Sequence, residues 1–149
     1  EIVFGDWSSD VCSSDLAGVA VYTVGARKEI PDGRTYLSVD GGMADNSRPA
    51  LYGASYTALL ANRADQPPTE TVTISGKFCE SGDLLIRDLT LPHAEPGDLL
   101  AVPVSGAYNL AMSSNYNLAL RPAAVWLEAG TARPILRRET YEDLLRRED

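Results

Sequence analysis

The sequence predicts a mainly β domain, a sandwich or barrel with short helices and one C-terminal helix. Six or seven short β-branched or alternating runs recur along the chain, and glycine- or proline-bearing turn signals separate them. Only the last stretch has a convincing helical pattern.

The elements follow in order. Residues 19–24 are β-branched and stop at Gly25, which leaves Lys28 in a turn; residues 35–40 form a second run before Gly41 and Gly42. Residues 69–75 alternate Thr71 and Thr73 with Val72 and Ile74, the period of two that a half-buried strand requires. Residues 83–88 and 98–104 are two more runs, the latter after the turn Glu95-Pro96-Gly97-Asp98. Residues 123–128 and 133–136 flank Ala129-Gly130-Thr131-Ala132 as a hairpin. Thr140 then caps a helix over residues 141–147, with Asp143 completing a partial capping box. The loop at 64–69 is too short to separate domains, and the one histidine, His93, falls in a solvated, proline-bounded turn.

Residues 1–16 stand apart. Asp6-Trp7-Ser8-Ser9-Asp10-Val11-Cys12-Ser13-Ser14-Asp15-Leu16 has no apolar period, no basic segment and no cleavage signal, so it is not a secretory leader. It reads as the in-frame translation of a sequencing-library adapter, a non-native or disordered segment ahead of a domain at 17–149. Four of the eight excess negative charges lie there, in Glu1, Asp6, Asp10 and Asp15. Without Cys12 a single Cys79 remains, which cannot form an internal disulfide; a reducing, cytoplasmic setting is expected. Charged residues at 23% and hydrophobic ones at 44% fit a globular domain with a real core. The net charge of -8 argues against nucleic acid, and the C-terminal arginines alternate with Glu139, Glu142 and Asp143 as on a solvated helix face. No apolar run approaches the roughly 18–20 residues of a membrane span.

Three loop clusters carry the chemistry. In the first, Asp40-Gly41-Gly42-Met43 precedes Arg48-Pro49-Ala50-Leu51-Tyr52. Arg48 offers a planar fork suited to a carboxylate, and Tyr52 a phenol four residues on. Taken alone, the plainer reading is a surface arginine paired with Asp45 and a tyrosine packed on the sheet. The second is Gly76-Lys77-Phe78-Cys79-Glu80-Ser81-Gly82-Asp83. A free cysteine is more often a small buried hydrophobe than a reactive group. Acidic neighbours nonetheless favour its protonated form, which suits a proton donor better than a standing nucleophile. The third is Ser105-Gly106-Ala107-Tyr108 with Met112-Ser113-Ser114-Asn115-Tyr116-Asn117, either a pocket wall beside Tyr108 or a capped turn.

Together, Val-Asp-Gly-Gly-Met, Arg-Pro-Ala-Leu-Tyr, Cys-Glu-Ser-Gly-Asp, Gly-Ala-Tyr and Tyr-Asn occur in an order and at intervals that resemble the C-terminal region of the diaminopimelate decarboxylase family. The resemblance runs from residue 17 to about 148. It implies the C-terminal β domain of a pyridoxal 5′-phosphate-dependent lyase of lysine biosynthesis, converting meso-2,6-diaminopimelate to L-lysine and carbon dioxide. The family's (β/α)₈ barrel, with its Schiff-base lysine, has no counterpart here, so the chain alone is expected to be inactive. By position, the resemblance makes Cys79 the donor that protonates the carbon carbon dioxide leaves. Glu80 would bind the distal ammonium, Arg48 and Tyr52 the distal carboxylate, and Tyr108 the cofactor phosphate and the substrate. It also implies a homodimer with shared active sites. A decarboxylase of another amino acid or of a carboxylated polyamine is the alternative within the class, and a non-catalytic β-domain binding module the alternative outside it.

Overall fold

The computed structural model describes residues 18–31, 33–106 and 108–148. The segment at 1–16 with Cys12, and Ala107 of the third cluster, lie outside the described residues.

Strand β1 (Val19–Glu29) is the spine of the fold. Its first half pairs antiparallel with β6 (Leu99–Pro103), from Val19 opposite Pro103 to Thr23 opposite Leu99. Its second half pairs with β2 (Thr35–Val39), and the register slips between Val24 and Ala26. Gly25 therefore does not end the strand as the sequence suggested. A bulge at a residue without a side chain lets the strand change partners and continue, which puts Lys28 on β1 rather than in a turn.

The remaining strands are β3 (Leu59–Leu60), β4 (Glu70–Ser75) and β5 (Leu84–Leu91), and the sheet order is β3-β6-β1-β2-β4-β5. Only β2 and β4 run parallel. The crossover between them carries the helix α1 (Arg48–Tyr52), in a stretch the sequence presented as a loop. β5 continues three residues beyond the expected run because Asp88 adopts φ 52°, and the strand resumes after that irregularity. This sheet curls around one core. Leu37, Leu60, Ile74, Leu91 and Leu100 are all under 2% exposed except Leu91 at 2%. The alternation at 71–75 holds: Val72 and Ile74 face the core, while Thr71 is exposed. Each such side chain contributes about 1.5–3 kcal/mol by leaving water.

A short helix α2 (Asn109–Met112) follows β6. Strands β7 (Ala124–Glu128) and β8 (Thr131–Leu136) form a separate antiparallel pair. Ala129 and Gly130 both take positive φ, 48° and 76°, the two-residue turn whose twist matches a hairpin. β8 consequently begins two residues earlier than the sequence suggested. Helix α3 (Tyr141–Leu145) carries the expected capping box between Thr140 and Asp143, and ends before Arg146.

Candidate active-site loops

The double-glycine turn after β2 is the hub of the three clusters. A Cβ on Gly41 would lie 2.3 Å from Tyr22 Cε1, so only glycine lets this backbone pass the tyrosine ring. The Tyr22 hydroxyl donates to Asp45 Oδ2 at 2.7 Å, and the Gly42 N–H donates to Asp45 Oδ1 at 2.9 Å. Burial, together with that carboxylate, pushes the Tyr22 phenol well above its ordinary range; burial likewise raises Asp45. Asp45 thus belongs to Tyr22. The plainer reading, an ion pair from Arg48 to Asp45, does not hold.

Arg48 opens α1 with Pro49 in the first turn, and Gly53 closes the helix at φ 64°. Its guanidinium lies 5.3 Å from the centre of the Tyr108 ring, a cation–π contact. Among the described residues it has no carboxylate partner. Tyr52 is 68% exposed rather than packed on the sheet. Tyr108 precedes α2 at φ 66°, its carbonyl accepting the Met112 N–H at 2.7 Å. Behind it, Gly18 and Gly106 pack backbone to backbone, where a Cβ on Gly18 would come 2.2 Å from Gly106 Cα.

The second cluster forms the turn between β4 and β5. The Lys77 N–H donates to the Gly41 carbonyl at 3.0 Å, and the Ser114 N–H donates to the Ala44 carbonyl at 2.8 Å. All three clusters therefore meet at residues 41–44. Cys79 and Glu80 are both exposed on the turn, so the bland reading of the cysteine as a buried hydrophobe fails. Glu80 accepts a hydrogen bond from the Tyr116 hydroxyl, whose ring meets Phe78 edge-on at 5.7 Å. That carboxylate raises the Tyr116 phenol above its usual value.

Within one chain the contacts define two side-chain groups, Arg48 with Tyr108 and Cys79–Glu80 with Tyr116, fastened to one hub. Sequence reasoning gave Tyr116 no role, although an exposed tyrosine in a polar run was the available signal. Asp83 entered the sequence reading as the end of the second cluster and the start of a strand, with no role of its own, whereas it is a buried carboxylate, 3% exposed. Its signal was the glycines around it, whose meaning depends on what they pack against.

Tyr108 is 42% exposed, and its hydroxyl takes no hydrogen bond among the described residues. A free phenol beside an unpaired guanidinium fits one edge of an anionic ligand such as a phosphate or carboxylate. Lys28 sits on β1 and Lys77 places its amine 5.8 Å from the Phe78 ring; neither contacts Tyr108. The described residues fit pyridoxal phosphate along that one edge and supply no lysine there. His93 is exposed in its turn, with Nδ1 3.3 Å from Glu70 Oε2. Among the described residues no three His, Cys, Asp or Glu side chains form a metal-ligand set, and no helix is long and apolar enough to cross a membrane.

The chain belongs to the pyridoxal-dependent decarboxylases: the model of their C-terminal sheet domain matches residues 12–106. Its named relatives narrow the class. The chain is 57% identical over 132 residues to the diaminopimelate decarboxylase of Synechocystis sp., covering 89% of this chain and 28% of that protein. It is 54% identical over 130 residues to the Bacillus subtilis enzyme of the same name, covering 87% of this chain and 30% of that protein. The crystal structure of diaminopimelate decarboxylase from M. jannaschii in complex with L-lysine superposes with a TM-score of 0.82 at 35% identity, over 91% of this chain and 30% of that one. The chain thus spans about 30% of the length of the relatives it matches.

Proposed function

We propose that this chain is the C-terminal part of a decarboxylase that converts meso-2,6-diaminopimelate to L-lysine and carbon dioxide. Arg48, with Tyr52 on the same helix, holds the distal carboxylate of the substrate, and Glu80 draws the distal ammonium. A pocket with both signs recognises a second amino-acid end group, which diaminopimelate has and a simple diamine precursor lacks. The Tyr108 hydroxyl donates to the cofactor phosphate and borders the substrate. The Cys79 thiol holds the proton delivered to the carbon that carbon dioxide leaves. When bound, pyridoxal phosphate supplies the electron sink for the bond that breaks. Its Schiff-base lysine belongs to the barrel part of the full-length enzyme.

The observation that carries this reading is the placement on one glycine hub of Arg48, over the Tyr108 ring and without a carboxylate partner among the described residues, and of an exposed Cys79–Glu80 turn. Two subsites that make separate contacts within one chain support a homodimer in which Cys79 and Glu80 complete the partner's pocket. An exposed free thiol suits a reducing cytoplasm.

The test is Cys79→Ala in the full-length enzyme. Turnover should fall on the order of 10²–10⁴-fold, the range for a lost proton-transfer group, while the cofactor's visible absorbance is retained. A variant with undiminished turnover removes the proton-donor assignment.

A further inference from the structure

We propose that Asp83 is a positioning residue whose buried carboxylate clamps the Cys79–Glu80 turn onto the double-glycine turn that leads to Arg48. The proposal rests on the roles given above to Cys79, Glu80 and Arg48. Oδ1 accepts the Met43 N–H at 2.7 Å and Oδ2 accepts the Phe78 N–H at 2.8 Å. Each oxygen thus serves one of the two loops, which join at positions 40 residues apart in sequence. The same residue closes the 76–83 turn through its backbone: its carbonyl accepts the Gly76 N–H at 2.9 Å, and its N–H donates to the Glu80 carbonyl at 3.1 Å.

The glycines on either side fit this carboxylate. A Cβ on Gly76 would lie 2.2 Å from Asp83 Oδ2, and one on Gly42 would lie 2.6 Å from Oδ1. No side chain larger than hydrogen is compatible with the clamp at either position. A buried carboxylate is costly unless its oxygens are satisfied, and hydrogen bonds from backbone N–H groups to a charged acceptor are the strong kind. The adjoining ties are lighter: one backbone hydrogen bond from Lys77 to Gly41, and the Tyr116 hydroxyl on Glu80 at the surface. With Cys79 exposed one residue beyond Phe78, the position of its thiol depends on where Asp83 holds the Phe78 amide.

The experiment uses the full-length holoenzyme with Asp83→Asn, Asp83→Ala, Gly76→Ala and the Gly76→Ala/Asp83→Ala pair, and Cys79→Ala beside them. The readouts are kcat, KM, melting temperature, cofactor absorbance, and the rate at which iodoacetamide alkylates Cys79, followed by mass spectrometry. Asp83→Ala should lower kcat on the order of 10²-fold, the scale of an ångström-sized misplacement, and raise the alkylation rate several-fold with cofactor retained. Asp83→Asn keeps the shape and one acceptor, and should recover part of the loss. Gly76→Ala should cost turnover in the native background and much less once Asp83 is alanine, because the carboxylate it strikes has gone. If Asp83→Ala fails to fold, kcat and the alkylation rate of Asp83→Asn and of Gly76→Ala decide the clamp, and native values in both overturn it. Native kcat and native alkylation in a folded Asp83→Ala holoenzyme overturn the clamp, as does an additive Gly76→Ala/Asp83→Ala pair. Undiminished turnover in Cys79→Ala instead overturns the underlying reading, and the alkylation rates still decide the clamp.

Discussion

Arg48 begins a five-residue helix with a proline behind it and an aromatic ring 5.3 Å away, and among the described residues no carboxylate answers its charge. A lysine at this position would keep the charge but lose both the planar fork and the stacking on Tyr108. Arg48→Lys in the full-length enzyme should therefore raise KM for diaminopimelate about tenfold, the effect of losing one charge-assisted hydrogen bond of about 1.5 kcal/mol. An unchanged KM would mean that charge alone suffices. Residue type and motif order single out Arg48, Cys79, Glu80 and Tyr108 in the sequence, and the roles proposed for them rest on the resemblance. The partnership of Asp45 was not legible there. Its hydroxyl donor, Tyr22, lies 23 residues back on β1, while Asp45 sits in the turn after β2, and no local spacing announces such a pair. Asp83 escaped for the same reason, since its nearest amide partner across the loops is 40 residues away.

Strands with a clean alternation were readable; interruptions were not. The 69–75 run came out within one residue because Val72 and Ile74 face the core, whereas β1 ran five residues past its expected end through Gly25. A glycine signals a break or a bulge equally, and only the presence of two partner strands, β6 and β2, decides between them. The helix α1 was hidden by its length and by its proline, which is harmless in the first turn. The turn between β2 and α1 yields a prediction at this scale. Gly41→Ala would put a Cβ 2.3 Å from Tyr22 Cε1 and 2.9 Å from Asp45 Oδ1. Overpacking of this kind costs about 1–3 kcal/mol. Chemical denaturation of the full-length variant should show that loss, and a midpoint equal to the native protein's would contradict the packing described.

Across the whole molecule, one ion pair ties the middle of the sheet together. Arg27 on β1 grips Glu70 at the start of β4 with both terminal nitrogens, each at 2.8 Å, spanning the intervening strand β2. Burial alone would raise the Glu70 carboxyl; hydrogen bonds from Arg27, the Ala94 N–H and His93 outweigh it and hold the group below its ordinary 4.5. A carboxylate depressed in the folded state adds stability that is present above its unfolded value and lost as pH falls through the folded one. Acidification should therefore destabilise the native protein more steeply than a Glu70→Gln variant, as measured by melting temperature against pH; parallel curves would show that the ion pair adds no stability. The hairpin gives a second expectation at this scale. Val125 and Leu127, two apart on β7 and so on one face of the hairpin, are 50% and 77% exposed, apolar surface that favours association. The chain produced alone should bind a hydrophobic dye, and Leu127→Ser should reduce that signal.

In the proposed reaction Arg48 reads a carboxylate at the far end of the substrate. The most direct measurement compares kcat/KM of the full-length enzyme and its Arg48→Ala variant for meso-diaminopimelate and for lysine, which lacks the distal carboxylate. Truncating a partner that grips a buried charge costs about 2–5 kcal/mol, so diaminopimelate turnover should fall by a factor of roughly 30 or more, while any activity on lysine is unaffected. Equal losses on the two substrates would contradict it.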